Sequence, residues 1–363
     1  MKIRLVSNMN IVLYTNSLDY GGASTFFLRL NSAFLHNNVN SNIISFNNER
    51  GSNSTNLLKC SLRERIVYLR NKLKEKETDI IITNYGLETL MAKLVTIGLN
   101  KKVKIISVVH VRSFMWIPES MSFIKKYIFK LLIKLSFKIC DKCVAVSNDL
   151  QKEILEEGWI NEEKIVTIYN PVIEDDFEML PKAIKYKEEI HLAIIGWIWD
   201  IKNQEEAIKA MYELGDKRYK LHIIGGIKDQ AYYEKLINMI NEFKLDDQVF
   251  FEGIKTDIFK ELEKIDILLL TSKTEALPTV IIEALACGVP VISRDCKVGP
   301  REILVNGEYG FLYDSLEELT QKIKELSMNN EKYKQLSFKS IKRAADFRFI
   351  ESMKKYIFLI EIL

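Results

Sequence analysis

Short β-branched apolar runs alternate with longer amphipathic stretches along most of this chain. Residues 10–15 (NIVLYT), 41–46, 79–83 and 104–109 read as strands, and helical patterns separate them. The first helix is predicted over about Thr25–Leu35, after a Gly21–Gly22 turn. The second half repeats the rhythm with strands at 191–198, 221–226, 249–253 and 267–270. Such βαβ alternation predicts parallel sheets whose ligands sit at the C-terminal strand ends. Past Leu270 the chain turns polar. Pro278 suits a first helical turn, and Val280, Ile281, Ala284 and Leu285 make one apolar face. Gly288 closes that helix in the left-handed conformation, and Pro290–Ser293 is the next strand. Leu316–Leu336 and the aromatic-rich end from Phe347 read as helices. Glu174–Glu189, charged and carrying Pro181, reads as a linker.

Candidate chemistry collects where strands end. Free N–H groups at Leu277–Val280 would open the helix beyond Pro278 and offer a phosphate or sugar-oxygen site. Glu275 precedes that helix and Glu283 lies within it, and carboxylates accept from paired sugar hydroxyls. The plainer alternatives are a dipole-favouring Glu275 and a solvated Glu283. Gly196 ends a strand and Lys202 precedes a helix, within reach of a pyrophosphate. Gly225 and Lys255 lie in two further strand-to-loop turns. In the first half, Gly22 sits where backbone approaches a ligand closely, and His110 ends a strand. His110 fits a structural role as well as a site.

A chain of 363 residues implies two domains, and 47% hydrophobic with 28% charged residues is globular composition. The net charge of +3 names no partner, but its distribution is uneven. Residues 101–142 carry ten Lys/Arg against two acids. Within them, 123–138 place Lys126, Lys130, Lys134 and Lys138 on a slowly drifting stripe of an otherwise apolar helix. That pattern fits an anionic membrane surface reached through 123–142, or a core helix with one solvated face. No nucleic-acid-binding module is recognisable. Lys2 and Arg4 lead into polar residues rather than a signal sequence, and no run of about 18 apolar residues could span a bilayer. A cytoplasmic protein, possible at the inner face of the cell membrane, is the expectation. Five cysteines without framework spacing, Cys140-x-x-Cys143 included, read as structural thiols, and the four histidines form no metal pair.

Glu275-x7-Glu283, then AlaCysGlyValProValIleSer and GlyProArgGluIleLeu with Asn306, Gly307, Gly310 and Leu312, resembles the donor-site signature of retaining GT-B glycosyltransferases, family 4. Asn170–Pro171 resembles the family's interdomain Asn-Pro. The resemblance implies two Rossmann-like α/β domains facing a cleft. Residues 1–172 would bind the acceptor, 173–345 the nucleotide-sugar donor, and a helix in 346–363 would cross back to the first domain. It implies hexosyl transfer, with retention, from a UDP-linked sugar to a saccharide or lipid-linked saccharide of surface glycan biosynthesis. His110, Lys202 and Glu275 would be catalytic. Gly22, Gly196, Lys202, Gly225, Lys255, Glu275, Leu277, Pro278, Thr279, Val280 and Glu283 would hold the donor, without metal or cofactor. Two departures stand out: Ala276 replaces a usual Gly or Ser, and Trp197 replaces a usual Arg. With Trp197 in that place, a non-catalytic nucleotide-sugar-binding subunit is an open alternative. A GT-B epimerase is another.

Overall fold

The computed structural model describes residues 9–18, 21–47, 60–112, 121–183, 189–296 and 298–363. The cationic start at Lys2 and Arg4 and residues 184–188 of the expected linker lie outside them. The chain divides into two compact units: one runs to Val172 and takes in Phe349–Leu363, the other is Ile173–Arg348.

The first unit runs β1 (Asn10–Ser17), α1 (Gly22–His36), β2 (Asn40–Asn47), α2 (Leu62–Glu75), β3 (Ile80–Asn84), α3 (Leu87–Thr96) and β4 (Lys104–Val109). It continues with α4 (Phe123–Ile139), β5 (Lys142–Ala145), α5 (Asn148–Glu156) and β6 (Ile165–Thr167). The strands form one parallel sheet ordered β2-β1-β3-β4-β5-β6. Because β1 lies between β2 and β3, the connections leave in opposite directions there and open a crevice over the ends of β1 and β3. The first helix starts at Gly22, three residues before the expected position. Gly21 supplies the N-cap with φ 151°, and its carbonyl accepts from the Thr25 N–H at 3.0 Å.

The second unit follows the same plan. It contains β7 (Ile190–Ile195), α6 (Gln204–Leu214), β8 (Tyr219–Ile224), α7 (Gln230–Phe243), β9 (Val249–Gly253), α8 (Ile258–Leu262) and β10 (Ile267–Leu270). Then come α9 (Thr279–Ala286), β11 (Val291–Arg294), α10 (Pro300–Ile303), β12 (Phe311–Tyr313), α11 (Leu316–Met328) and α12 (Asn330–Ala344). The parallel sheet is ordered β12-β11-β10-β7-β8-β9, so its switch point falls between β7 and β10. Alternate strand residues Leu192, Ile194, Leu221, Ile223, Ile267 and Leu269 pack with Ile208, Met211, Leu236 and Ile323 in the core. The final helix, α13 (Phe349–Glu361), belongs to the first unit. Tyr356 meets Phe34 edge-on at 6.0 Å, and the Ser352 hydroxyl donates to the Tyr169 carbonyl at 2.8 Å.

Three local expectations are corrected. Residues 174–183 pack on the second unit rather than serving as a linker. The Arg348 guanidinium donates to the carbonyls of Glu174, Asp175 and Phe177, and Lys182 Nζ donates to those of Leu262, Glu263 and Ile265 at the end of α8. Leu316–Leu336 is two helices, because the Asn329 side chain accepts from the Lys332 N–H at 2.9 Å and caps a new one. Pro278 is the N-cap of α9 rather than a residue of its first turn.

Candidate functional site

In the second unit, the loops after β7 and β10 meet at the sheet's switch point. Lys202 Nζ lies 2.6 Å from Glu275 Oε1, a charge-assisted contact between two largely buried side chains. The backbone holds both. The Thr271 hydroxyl donates to the Lys202 carbonyl at 2.8 Å, and the Lys273 N–H donates to the Ile201 carbonyl at 2.9 Å. The β10 exit therefore clamps the turn that carries Lys202.

Glycines set the spacing. A Cβ on Gly225 would lie 2.0 Å from the Gly196 carbonyl oxygen, and one on Gly196 would lie 3.4 Å from Lys202 Cε. The loops after β7 and β8 thus touch backbone to backbone beside the lysine. Across the site, Gly299 (φ 90°) approaches the Ala276–Pro278 turn so closely that a Cβ would lie 2.8 Å from Pro278 Cδ. That contact fixes the entry to α9. Gly288 N–H to Leu285 carbonyl and Val289 N–H to Ala284 carbonyl close the helix as expected.

The expected donor residues therefore separate into groups. Gly196, Lys202, Gly225 and Glu275 come together, and Leu277, Thr279 and Val280 lead into the same short helix. Pro278 has no N–H to offer, so the donor set is smaller than the stretch Leu277–Val280 implies. Glu283 is only 6% exposed, which rules out the solvated-face reading. Lys255 instead joins a side-chain relay: its Nζ lies 3.4 Å from Glu252 Oε2, and Glu252 Oε1 lies 3.0 Å from His222 Nδ1. Arg301, in the GlyProArgGluIleLeu stretch, pairs with Asp295.

Trp197 packs its ring against Gly226, where a Cβ would come within 2.5 Å of it. A second cation takes part nearby. Lys228 lies 3.8 Å over the Trp199 ring, and burial and then the charge of Lys202 hold its ammonium below the usual lysine range. Sequence reading missed Lys228, because a lysine four residues beyond a strand carries no motif. The signal that could have found it is the lysine of GlyGlyIleLys itself, given that Trp197 stands at the arginine position.

In the first unit, His110 follows β4. Its Nε2 is buried without a hydrogen-bond partner, its ring lies 4.2 Å from that of Phe26, and burial lowers its pKa to about 3. The imidazole is therefore neutral at pH 7 and offers one unused nitrogen. Gly22 opens α1, and a Cβ there would meet nothing within 4 Å. Glu88, in the first turn of α3, was not anticipated. Its Oε1 accepts from the Asn16 N–H at 2.7 Å, Oε2 is buried without a partner, and desolvation pushes its pKa up to about 7. Burial also raises the thiols of Cys140 and Cys143, which suits inert structural cysteines. Among the described residues no group of His, Cys, Asp and Glu is arranged to hold a metal, and no helix is long and apolar enough to cross a membrane.

Comparison with known proteins bears on both units. Residues 175–343 match the family Glycosyl transferases group 1, and residues 20–176 match Glycosyltransferase Family 4. The chain is 28% identical to an uncharacterised glycosyltransferase of Haemophilus influenzae, over 79% of this chain and 78% of that one. It is 33% identical to the O-antigen chain mannosyltransferase RfbU of Salmonella typhimurium, over 56% of this chain and 54% of the relative. With the lipopolysaccharide 1,6-galactosyltransferase of Escherichia coli it shares 29% identity over 48% of each. The chain thus spans about half the length of these last two relatives. Among solved structures, Anabaena HepE in complex with UDP-glucose superposes with a TM-score of 0.79 at 16% identity, covering 98% of this chain and 100% of that one. At that identity the likeness is one of fold.

Proposed function

This chain belongs to the glycosyltransferases of the GT-B fold, and on that premise we propose that it transfers a hexosyl unit from a UDP-linked sugar, with retention at the anomeric carbon. The acceptor is a saccharide or a lipid-linked saccharide of surface glycan biosynthesis, met at the inner face of the cell membrane. The named activities of the Salmonella and E. coli relatives support that pathway class, and the UDP-glucose held by HepE supports the donor.

One observation carries the reading: the Lys202–Glu275 pair at the switch point of β7 and β10, beside Lys228 and ahead of α9. In the transfer, the bond from the anomeric carbon to the diphosphate oxygen breaks with its electron pair going to UDP, and the acceptor oxygen bonds to that carbon as its hydroxyl proton passes to the departing diphosphate. Lys202, Lys228 and the N–H groups of Leu277, Thr279 and Val280 stabilise the charge gathering on the diphosphate. Two ammonium groups serve where a divalent metal would otherwise be needed, so no metal or cofactor is required. Glu275 holds sugar hydroxyls and Glu283 the ribose. Gly196 and Gly225 let the backbone approach the nucleotide, and Lys255 borders the base. The first unit takes the acceptor. Gly22 opens the first helix of that unit, and neutral His110 offers Nε2 to orient the acceptor.

Calorimetric titration with UDP tests this. Replacing Lys202 by alanine removes a charged hydrogen-bond donor, so affinity should fall by roughly 10- to 100-fold. Replacing Lys228 by alanine should cost roughly 5- to 10-fold, as an ion contact of lower burial does. Unchanged UDP binding by Lys202→Ala would overturn the assignment. Trp197 favours one second reading, a nucleotide-sugar-binding subunit without turnover. Lys228 beside Lys202 argues against it, because the site then keeps two cations.

A further inference from the structure

α4 is anchored to the first unit by few side chains. Ile133, Ser136 and Phe137 are buried; the Ser136 oxygen accepts from the Gly86 N–H at 3.0 Å, and Phe137 stacks with Tyr85 at 6.1 Å. The opposite side is apolar and open to solvent. Ile124, Tyr127, Ile128, Leu131 and Leu135 recur at i, i+3, i+4, i+7 and i+11, which places them in one stripe. Exposures of 70% for Ile124, 65% for Tyr127 and 55% for Leu131, with 85% for Phe123 at the helix start, exclude the core-helix reading of this segment. Neighbouring α3, packed along α4, carries exposed Leu87 and Leu94 as well.

Charge decides what covers the stripe. The helix carries Lys125, Lys126, Lys130, Lys134 and Lys138 and no acid. Helical geometry runs Lys130, Lys134 and Lys138 along one border of the stripe and sets Lys125 at the other. A second copy docked through the same face would bring five more lysines and no carboxylate, so a two-fold contact is repulsive. Nucleic acid would match the lysines but leave the apolar centre unused. A bilayer of anionic lipid satisfies both: apolar side chains enter the headgroup boundary while lysine stems reach lipid phosphates.

We propose that the outer face of α4, centred on Leu131, is a docking surface for anionic lipid bilayer, on which the helix lies parallel to the membrane plane. The apolar stripe, rather than the lysine row, points into the lipid. This depends on the surface alone and holds whether or not the donor reading does.

Co-sedimentation of the full chain with vesicles of phosphatidylcholine, or of phosphatidylcholine with 30% phosphatidylglycerol, tests it. Binding should be at least tenfold stronger to the anionic vesicles and fall as salt rises. Each lysine among Lys125, Lys130, Lys134 and Lys138 changed to Gln should weaken it by roughly fivefold. Leu131→Asp should abolish it while UDP binding and thermal unfolding stay unchanged, since Leu131 is exposed. Equal binding to both vesicles, retained binding by Leu131→Asp, or self-association in solution that Leu131→Asp disperses would each overturn the proposal. Because UDP binding is read separately, failure here and failure of the donor assignment are distinguishable.

Discussion

Glu88, in the first turn of α3, and His110, just after β4, respond to burial in opposite directions. Desolvation raises Glu88 from the ordinary 4.5 to about 7, so between those values the folded chain holds a proton that the unfolded chain has released. Folding stability attributable to Glu88 is therefore full below pH 4.5 and falls as pH rises toward 7. For His110, lowered from 6.5 to about 3, the unfolded chain binds the extra proton, and stability rises with pH across that window. In the wild type the two slopes partly cancel. Glu88→Gln keeps an acceptor for the Asn16 N–H and removes the titration. We expect the variant to match the wild type near pH 4.5 and to exceed it by up to ~3 kcal/mol above pH 7. Urea unfolding at pH 5 and pH 8 checks this; equal differences at both would contradict it. Glu88 was illegible in sequence because its environment is built by Thr15 and Asn16, some seventy residues earlier. Glu275 and Lys202 were legible, since a strand end before a helix start places such residues predictably. Lys228 was not, because its place over the Trp199 ring and beside Lys202 is set by tertiary contacts.

Elements were the most readable level. The β-branched runs at 10–15, 41–46, 79–83 and 104–109 all fall on strands, with Asp79 alone just before one, and the Gly288 closure of α9 follows from its residues alone. The misreadings came where a tertiary partner decides. Charged residues 174–183 resemble a linker until Arg348 donates to their carbonyls and Lys182 reaches those at the end of α8, and Asn329 resembles a helix residue until its side chain caps the next helix. α4 shows the limit of periodicity. Its lysine stripe was visible, but which apolar residues face the core depends on what packs beside it. The loops after β7 and β8 carry a prediction of their own. Gly225→Ala would place a methyl 2.0 Å from the Gly196 carbonyl, at φ 155°, and force the two loops apart. A loss of about 2–4 kcal/mol in stability is expected, with UDP binding lost as well. Thermal unfolding and UDP titration of this variant read both. Wild-type behaviour in each would mean the loops do not hold the site.

At the scale of the whole chain, two parallel-sheet units and a C-terminal helix belonging to the first were readable from alternation, length and family resemblance together. Donor sugar and acceptor were not, because they depend on loop shape rather than on strand-end motifs. The claim that joins all levels is that the Lys202–Glu275 site activates a nucleotide sugar for transfer. Its most direct measurement is release of UDP from a panel of UDP-sugars, with membrane lipid extract as acceptor, by wild type and Glu275→Ala. We predict release from at least one sugar, stimulated by the extract and reduced at least 100-fold in the variant, as expected when a charged partner at the reacting sugar is lost. No release by the wild type from any sugar, or equal release by the variant, would contradict it.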